Sequence, residues 1–516
     1  MSTSATRSSL CRYPSGLCAI VRAAPPVLLL ATMSACAVGP TYTKPGPPAV
    51  QDYTARPVAG TLAPPGNGAP GSQQLEFGAA VTPQWWEGFG STVLNALMSQ
   101  ALARNPSLEQ SRQTLQQAQY NLTAAEGIFY PQASLGLSGE RTRTSGAQSG
   151  GIVGSNLYNL YTGQVSVSYY PDAFGLNRLV ARNAQAQVDV ARDQLIAAQL
   201  TIEGNVANAA IDLAGLSARI DATEKTIADQ KAVLDLIETQ YRLGAVSELQ
   251  VATQQSQLAS SEALLPTLQL ARDQIRHLLA TLLGTFPAQA AGMPTLQLSN
   301  LHLPPTVPVS YPSTLVQTRP DILAAEAQLR AANAQVGIAV ARMYPNLDLT
   351  GSFGAQSNTT SKFFDPASRI WDLAASAAMP LFDGGSLRAQ KHAAQAAYRA
   401  AFASYQNTVL NAFRNVADAL RAMQRDAVAL AAQTRALDAA RTGFMLASKQ
   451  YQAGAVDYLS LLASEVQYQD ARIAHVSAET QRFADTVALY LALGGGSIDA
   501  ASGQGPERAK TAGAEN

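Results

Sequence analysis

Charge is scarce in this chain of 516 residues: Asp, Glu, Lys and Arg make up 14% of it, against roughly 25% in an average soluble domain. The 36 basic and 36 acidic residues cancel, which removes any general electrostatic case for binding nucleic acid. Although 47% of the residues are hydrophobic, no run of about 18 apolar residues occurs, so a helical membrane protein is not expected. The three cysteines, Cys11, Cys18 and Cys36, all lie at the N-terminus, leaving the body with neither a disulfide framework nor a thiolate metal site. His277, His302, His392 and His475 stand far apart and form no metal motif. Gly494-Gly495-Gly496 ends a helix rather than opening one, Gly384-Gly385 lacks a following Lys-Ser/Thr, and no Gly-x-Ser-x-Gly elbow has a usable His partner. An enzyme is therefore not expected, and no cofactor is. What remains suits long helices buried against one another, together with strands too short and too alternating to register in hydropathy.

The first 35 residues read as a signal peptide: Arg7, Arg12 and Arg22 precede the apolar Val27-Leu28-Leu29-Leu30 and the small-residue run that ends at Ala35. Small residues directly before Cys36 resemble a lipobox, at which bacterial lipoprotein precursors are acylated on the Cys thiol and cleaved in front of it. Met33 departs from the usual Leu, and ordinary cleavage near Ala35 is the competing reading. In such lipoproteins Asp after the cysteine favours inner-membrane retention; with Ala37 there, the resemblance implies the outer membrane. Residues 36–78 are dense in Pro, Gly and Thr and read as an extended tether.

The body is a duplication. Asn105-Pro106 opens a helical stretch that ends at Tyr130-Pro131, and Arg319-Pro320 opens another that ends at Tyr344-Pro345, with Pro106 and Pro320 offset by 214 residues. Tyr241 with Gly244-Ala245-Val246 matches Tyr451 with Gly454-Ala455-Val456 at an offset of 210. In each half a helix starting with proline leads to two segments of period two. Ala133, Leu135 and Leu137 alternate with Gln132, Ser134 and Ser138; Val165, Val167 and Tyr169 with Gln164, Ser166 and Ser168. Leu347, Leu349 and Gly351 alternate with Asn346, Asp348 and Thr350; Trp371, Leu373 and Ala375 with Asp372 and Ser376. These are expected strands of about ten residues, the length of a tilted transmembrane β-strand, with loops expected over 142–155 and 355–361. Aromatics at their ends, among them Tyr161, Phe363, Phe364 and Trp371, fit interfacial girdles. Four strands are too few to close a barrel in one chain.

After each strand pair comes a turn signal, Asp172-Ala173-Phe174-Gly175 or Phe382-Asp383-Gly384-Gly385, and then a stretch of more than sixty residues without proline. Apolar positions recur every seven residues: Val206, Leu213, Ile220, Ile227, Leu234 and Tyr241 in the first half, Val416, Met423, Leu430, Leu437, Phe444 and Tyr451 in the second. That period predicts coiled coil. Helices ending at Gly244 and Gly454 and returning from Glu248 and Tyr458 make two long hairpins, each with its tip at a Gly-Ala-Val turn.

Taken together, Cys36 with Ala37-Val38-Gly39-Pro40, Trp85-Trp86-Glu87-Gly88-Phe89, Thr318-Arg319-Pro320-Asp321-Ile322, Leu349-Thr350-Gly351-Ser352-Phe353-Gly354 and Leu381-Phe382-Asp383-Gly384-Gly385 resemble the outer-membrane factors of tripartite efflux systems, which are related to TolC. The resemblance is to the lipoprotein branch that serves resistance-nodulation-division pumps. It implies an α+β chain of long coiled-coil helices forming a periplasmic α-barrel, with four transmembrane strands per chain completing a twelve-stranded β-barrel as a homotrimer. It implies as partners a periplasmic adaptor, the inner-membrane pump and outer-membrane lipid, and no nucleic acid. The expected parts are a signal peptide over 1–35, the lipidated tether 36–78, a belt segment 79–104, repeat 1 over 105–284, a belt linker 285–318, repeat 2 over 319–494 and a tail 495–516. Hairpin tips at Gly244, Ala245, Val246, Gly454, Ala455 and Val456 would meet the adaptor. Related channels close on a Leu and, four residues on, an Asp; those positions here are Leu459 and Ala463, so Asp457 and Glu465 are the carboxylates left to form an acidic ring beside Leu459. A pore-free periplasmic coiled-coil scaffold and the outlet of a type I protein-secretion system are the alternatives.

Overall fold

The computed structural model describes residues 38–58, 60–62, 72–144 and 156–496. In chain order the elements are β1 (Thr61–Leu62), β2 (Gln73–Phe77), α1 (Thr92–Arg104), α2 (Pro106–Glu126), β3 (Gln132–Thr144), β4 (Asn156–Tyr169), α3 (Leu176–Arg242), α4 (Glu248–Leu282), β5 (Thr306–Val309), α5 (Pro312–Thr318), α6 (Pro320–Ala341), β6 (Asn346–Ser357), β7 (Arg369–Ala378), α7 (Ser386–Gln452) and α8 (Tyr458–Ala492). The chain forms two compact units, one built on Glu126–Val180 and Val336–Lys391, the other on Thr41–Ala125, Ala181–Gln335 and the chain from His392 onward. No described helix is long and apolar enough to cross a membrane.

The first unit holds an antiparallel sheet in the order β3-β4-β6-β7. Its register sorts the side chains into two faces, because successive residues of a strand point to opposite sides. Leu135–Val165–Phe353–Trp371 and Ala133–Val167–Gly351–Leu373 run across one face. Ser134–Ser166–Ser352–Asp372 and Gln132–Ser168–Thr350–Ala374 run across the other. The alternation expected from period two thus becomes one apolar and one polar sheet face. Three strands are longer than the expected ten or so residues, at 13, 14 and 12, while β7 has 10, and Ala355–Ser357, expected in a loop, still pair with β4.

The carboxylates after each strand pair start the long helices. Asp172 accepts from the backbone N–H of Asn177 at 2.8 Å and of Arg178 at 3.0 Å. Asp383 accepts from Leu387 at 2.6 Å and Gly385 at 3.0 Å. Each supplies an acceptor to N–H groups that have no partner within the helix and places negative charge at the positive end of its dipole. The Leu387 N–H holds the Asp383 carboxyl below its usual range.

In the second unit the tryptophan motif is the centre of the core. Trp85 and Phe89 are buried, and Trp85 stacks on Tyr490 with centroids 5.3 Å apart. Leu94, Leu97, Met98 and Ala101 of α1, Val307 and Val309 of β5 and Leu315 of α5 close over the same cluster. A small sheet of order β1-β2-β5 lies in this unit.

Helices α3 and α7 have 67 residues each, about 100 Å of helix at 1.5 Å per residue. Val206, Leu213, Ile220 and Ile227 are buried as the heptads require, but the expected seam does not continue to the tip. Leu234 is only half-buried and Tyr241 is 44% exposed, while Val233 and Ile237 take their place in the core. The period of seven continues at neighbouring positions, where Thr223, Gln230 and Ile237, and Thr226 and Val233, are buried, so near the tip the helix is covered along a different edge of the stripe.

The duplication reappears as equivalent contacts. Asn105 caps α2, its Oδ1 accepting from Ser107 and Leu108, and its Nδ2 donates to the carbonyl of Leu282 at the end of α4 (2.8 Å). Arg319 precedes α6, and its guanidinium donates to the carbonyl of Ala492 at the end of α8 (2.5 Å). A residue that reads as a poor helix cap therefore does the same job as Asn105, satisfying a C-terminal carbonyl with no partner within its own helix.

Candidate functional site at the hairpin tips

Both tips are built by the same backbone device. Gly244 and Gly454 adopt φ of +72°. Gly244 N–H donates to Tyr241 and Ala245 N–H to Gln240; Gly454 N–H donates to Tyr451 and Ala455 N–H to Gln450. This paired pattern is a Schellman ending, which needs a left-handed residue that glycine adopts without a Cβ penalty. Gly244, Ala245, Gly454 and Ala455 are exposed. Val246 and Val456 turn back, half-buried, against a cluster of Val233, Ile237, Val251, Tyr451, Tyr458 and Leu461.

Leu459 is 67% exposed on the first turn of α8, and Leu249, its equivalent in the first hairpin, is 75% exposed. Two large apolar side chains thus stand uncovered at the same place in each hairpin. Asp457 is spent locally: its Oδ1 accepts from the N–H of Ser460 at 2.9 Å and from its hydroxyl at 2.5 Å, capping α8. The Ser460 hydroxyl and N–H hold its carboxyl below the usual range. Ser247, the equivalent residue before α4, makes no such side-chain bond.

Glu465 lies elsewhere. It is 1% exposed, with Gln469 donating to Oε1 at 3.3 Å and no partner at Oε2. Burial pushes its carboxyl up to about 7; the Gln254 amide opposes this, Asp229 adds to it and Gln230 opposes it again. Within one protomer, then, Leu459 and Asp457 are exposed on the first turn of α8 while Glu465 is enclosed among α3, α4 and α8.

Around Glu465 the two hairpins are joined by polar contacts that sequence reasoning missed. Tyr458 Oη donates to Gln254 Oε1 at 2.9 Å and Tyr451 Oη to Gln240 Oε1 at 2.8 Å. Arg472 donates to the carbonyl of Ala222 and to Thr226 Oγ1, both at 3.2 Å, pairs with Asp229 at 3.6 Å and lies over the Tyr468 ring at 4.3 Å. The signal lay where the halves disagree: Tyr458, Glu465 and Arg472 stand where the first hairpin has Glu248, Gln255 and Glu262. Each hairpin carries what the other lacks, so the contact joins unlike partners. Cys36 falls outside the described residues. Among those described, no group of three or more His, Cys, Asp or Glu side chains is placed to hold a metal ion.

Comparison with known proteins accounts for this arrangement. A family described as outer membrane efflux protein matches residues 97–285 and 311–495. The chain is 30% identical over 476 residues to outer membrane protein OprJ of Pseudomonas aeruginosa, covering 91% of this chain and 95% of that protein. It is 29% identical over 444 residues to the pyoverdine export outer membrane protein OpmQ of Pseudomonas putida, covering 85% and 93%. The solved structure of the outer-membrane channel OprN superposes with a TM-score of 0.81 at 28% identity, covering 89% of this chain and 99% of that one. The chain belongs to the outer membrane efflux protein family: it is not an enzyme but the outer-membrane exit channel of a tripartite efflux system, a homotrimer of long α-barrel helices and shared β-barrel strands that works with a periplasmic adaptor and a resistance-nodulation-division pump.

Proposed function

We propose that the channel is closed at its hairpin tips and opened when the adaptor engages Gly244-Ala245-Val246 and Gly454-Ala455-Val456, with Leu459 closing the pore, Asp457 charging its rim and Glu465 governing how tightly the hairpins pack. The observation that carries this reading is the tip itself: uncovered leucines at equivalent positions, beside a buried polar contact between the hairpins. Three copies converging would cover Leu459 against itself. Opening then needs only a second packing of the hairpins, favoured by adaptor binding. The cargo class is small toxic compounds or drugs, chosen by the pump. Residues 79–104 and 285–318 serve as the belt around repeats 105–284 and 319–494.

Glu465 tests the gate through pH. Its folded pKa is raised from 4.5 to about 7, so the buried neutral form stabilises the packed hairpins fully below the lower value, and that contribution is lost as pH rises through the upper one. Closed-state conductance in planar bilayers is expected to rise between about pH 6 and about pH 8 in wild type, and Glu465→Gln is expected to stay closed across that window. Identical pH profiles for the two proteins would remove Glu465 from the gate.

We further propose that Cys36 carries the lipid anchor, placing the protein in the lipoprotein branch; the expected tether of residues 36–78 is not loose along its length, since Tyr53 donates to the carbonyl of Ser310 and Leu62, Gln73 and Leu75 are buried. Cys36→Ser is expected to abolish incorporation of labelled palmitate and the acyl mass on the N-terminal peptide. A mature wild-type chain with an unmodified Cys36, or one beginning elsewhere, returns this segment to ordinary cleavage near Ala35.

A further inference from the structure

The apolar face of the four-stranded sheet changes character toward the β6–β7 connection. Its middle rows, Leu135–Val165–Phe353–Trp371 and Ala133–Val167–Gly351–Leu373, carry no charge. The next row, Leu137–Gly163–Ala355–Arg369, ends on a cation. Arg141, four residues beyond Leu137 in β3, projects from the same face by the period of the strand. Lys362 lies in the connection itself. Arg141, Lys362 and Arg369 are exposed, and among the described residues none of them is paired with a carboxylate. Glu140, at the same end, and Asp372, nearer the middle, belong to the polar face, which leaves Asp365 as the carboxylate of the connection.

An aromatic groove lies beside these cations. The connection folds back so that the Phe363 ring fills the space above Gly163: a Cβ there would lie 2.7 Å from the ring and 3.1 Å from Leu137. Phe364 stands edge-on to Phe363 with centroids 5.2 Å apart and is 90% exposed. With Leu137 and Tyr161 they border an open groove of about 390 Å³. In the barrel this face meets lipid, where charge is tolerated only near the membrane surface. A guanidinium is a planar fork of donors matched to phosphate oxygens.

We propose that this rim binds an anionic, phosphate-bearing lipid of the surrounding membrane, an acyl chain lying in the groove bordered by Leu137, Tyr161, Phe363 and Phe364, and its phosphate drawn to the cations spread around that groove, Arg141, Lys362 and Arg369. The proposal rests on the apolar face being the lipid-facing side of the trimeric barrel.

The test is native mass spectrometry of the purified full-length trimer in mild detergent, supplied with equal amounts of lipid A, phosphatidylglycerol and phosphatidylcholine. Wild type is expected to retain the anionic lipids in preference to phosphatidylcholine. The triple variant R141Q/K362Q/R369Q is expected to lose that preference, and F363A/F364A to lose retention of all three lipids. Equal retention of phosphatidylcholine by wild type, or an unchanged preference in the triple variant, overturns the proposal. Conductance in planar bilayers separates the two levels of inference. Wild-type pores without lipid preference overturn this proposal alone, whereas absence of wild-type pores overturns the barrel assignment beneath it. Should the triple variant not assemble, R141Q and R369Q singly, both at exposed positions, decide by the same criterion.

Discussion

Truncating Leu459 to Ala makes the closed channel leak: closed-state conductance in planar bilayers rises well above wild type, and Leu249→Ala added to it raises the leak further. Each protomer presents Leu459 and Leu249 uncovered at equivalent places, and exposed apolar surface that repeats in this way marks a face that meets another. On the gate proposed above, the other copies supply the cover in the closed trimer. Burying one leucine fully is worth about 1.5–3 kcal/mol. The three copies change together, so a loss of even ~1 kcal/mol at each shifts the closed-to-open ratio by roughly two powers of ten. The equivalent positions of the two leucines make the double variant informative. A leak in Leu249→Ala as large as in Leu459→Ala means that both hairpins supply the ring; conductance unchanged in the double variant removes both from the gate.

Arg319→Met lowers the temperature at which the trimer dissociates, and Arg319→Lys restores only part of it. The guanidinium is buried and does three things at once. It pairs with Asp321 at 2.9 Å, donates to the last residue of α8 at 2.5 Å and reaches the carbonyl of Ala412 in α7 at 3.4 Å. Methionine fills much of the volume but leaves the buried Ala492 carbonyl at the end of α8 without a donor, at about 1–3 kcal/mol, and removes a second bond from Ala412, whose carbonyl keeps its partner within α7. Lysine returns the charge without the fork geometry that serves several acceptors together. The loss is confined to stability, because Arg319 belongs to the core that ties each repeat's first helix to the end of its own hairpin. Heat-induced dissociation followed by electrophoresis reads it directly. A dissociation temperature unchanged in Arg319→Met means that the Ala492 carbonyl finds another donor, and the tie is then not structural.

Much of the fold was legible because it depends on short-range rules. Period two in Leu135, Val167 and Leu349 assigned strand faces before any partner strand was known, since side chains alternate whatever the neighbour. Gly244 and Gly454 marked the tips because a left-handed ending selects glycine within a single turn. The tip assignments were less legible. Asp457 and Glu465 looked alike as carboxylates near a turn, yet one caps its own helix and the other is enclosed between hairpins. Nothing within a few residues of Glu465 distinguishes these outcomes; the helices of the other hairpin do.

The amino-acid sequence by itself determined the duplicated order of helix, strand pair and hairpin, the polar and apolar strand faces and the two turns, because each follows from backbone sterics and from the spacing of residues close in the chain. Only the tertiary structure decided which residues join the hairpins and which stay bare at the tips. Tyr451 meets Gln240 across 211 residues of chain and Tyr458 meets Gln254 across 204. Such pairings depend on which helix lies beside which. They also decide which edge of the seven-residue stripe is covered near the tip, with Val233 and Ile237 inward and Tyr241 outside.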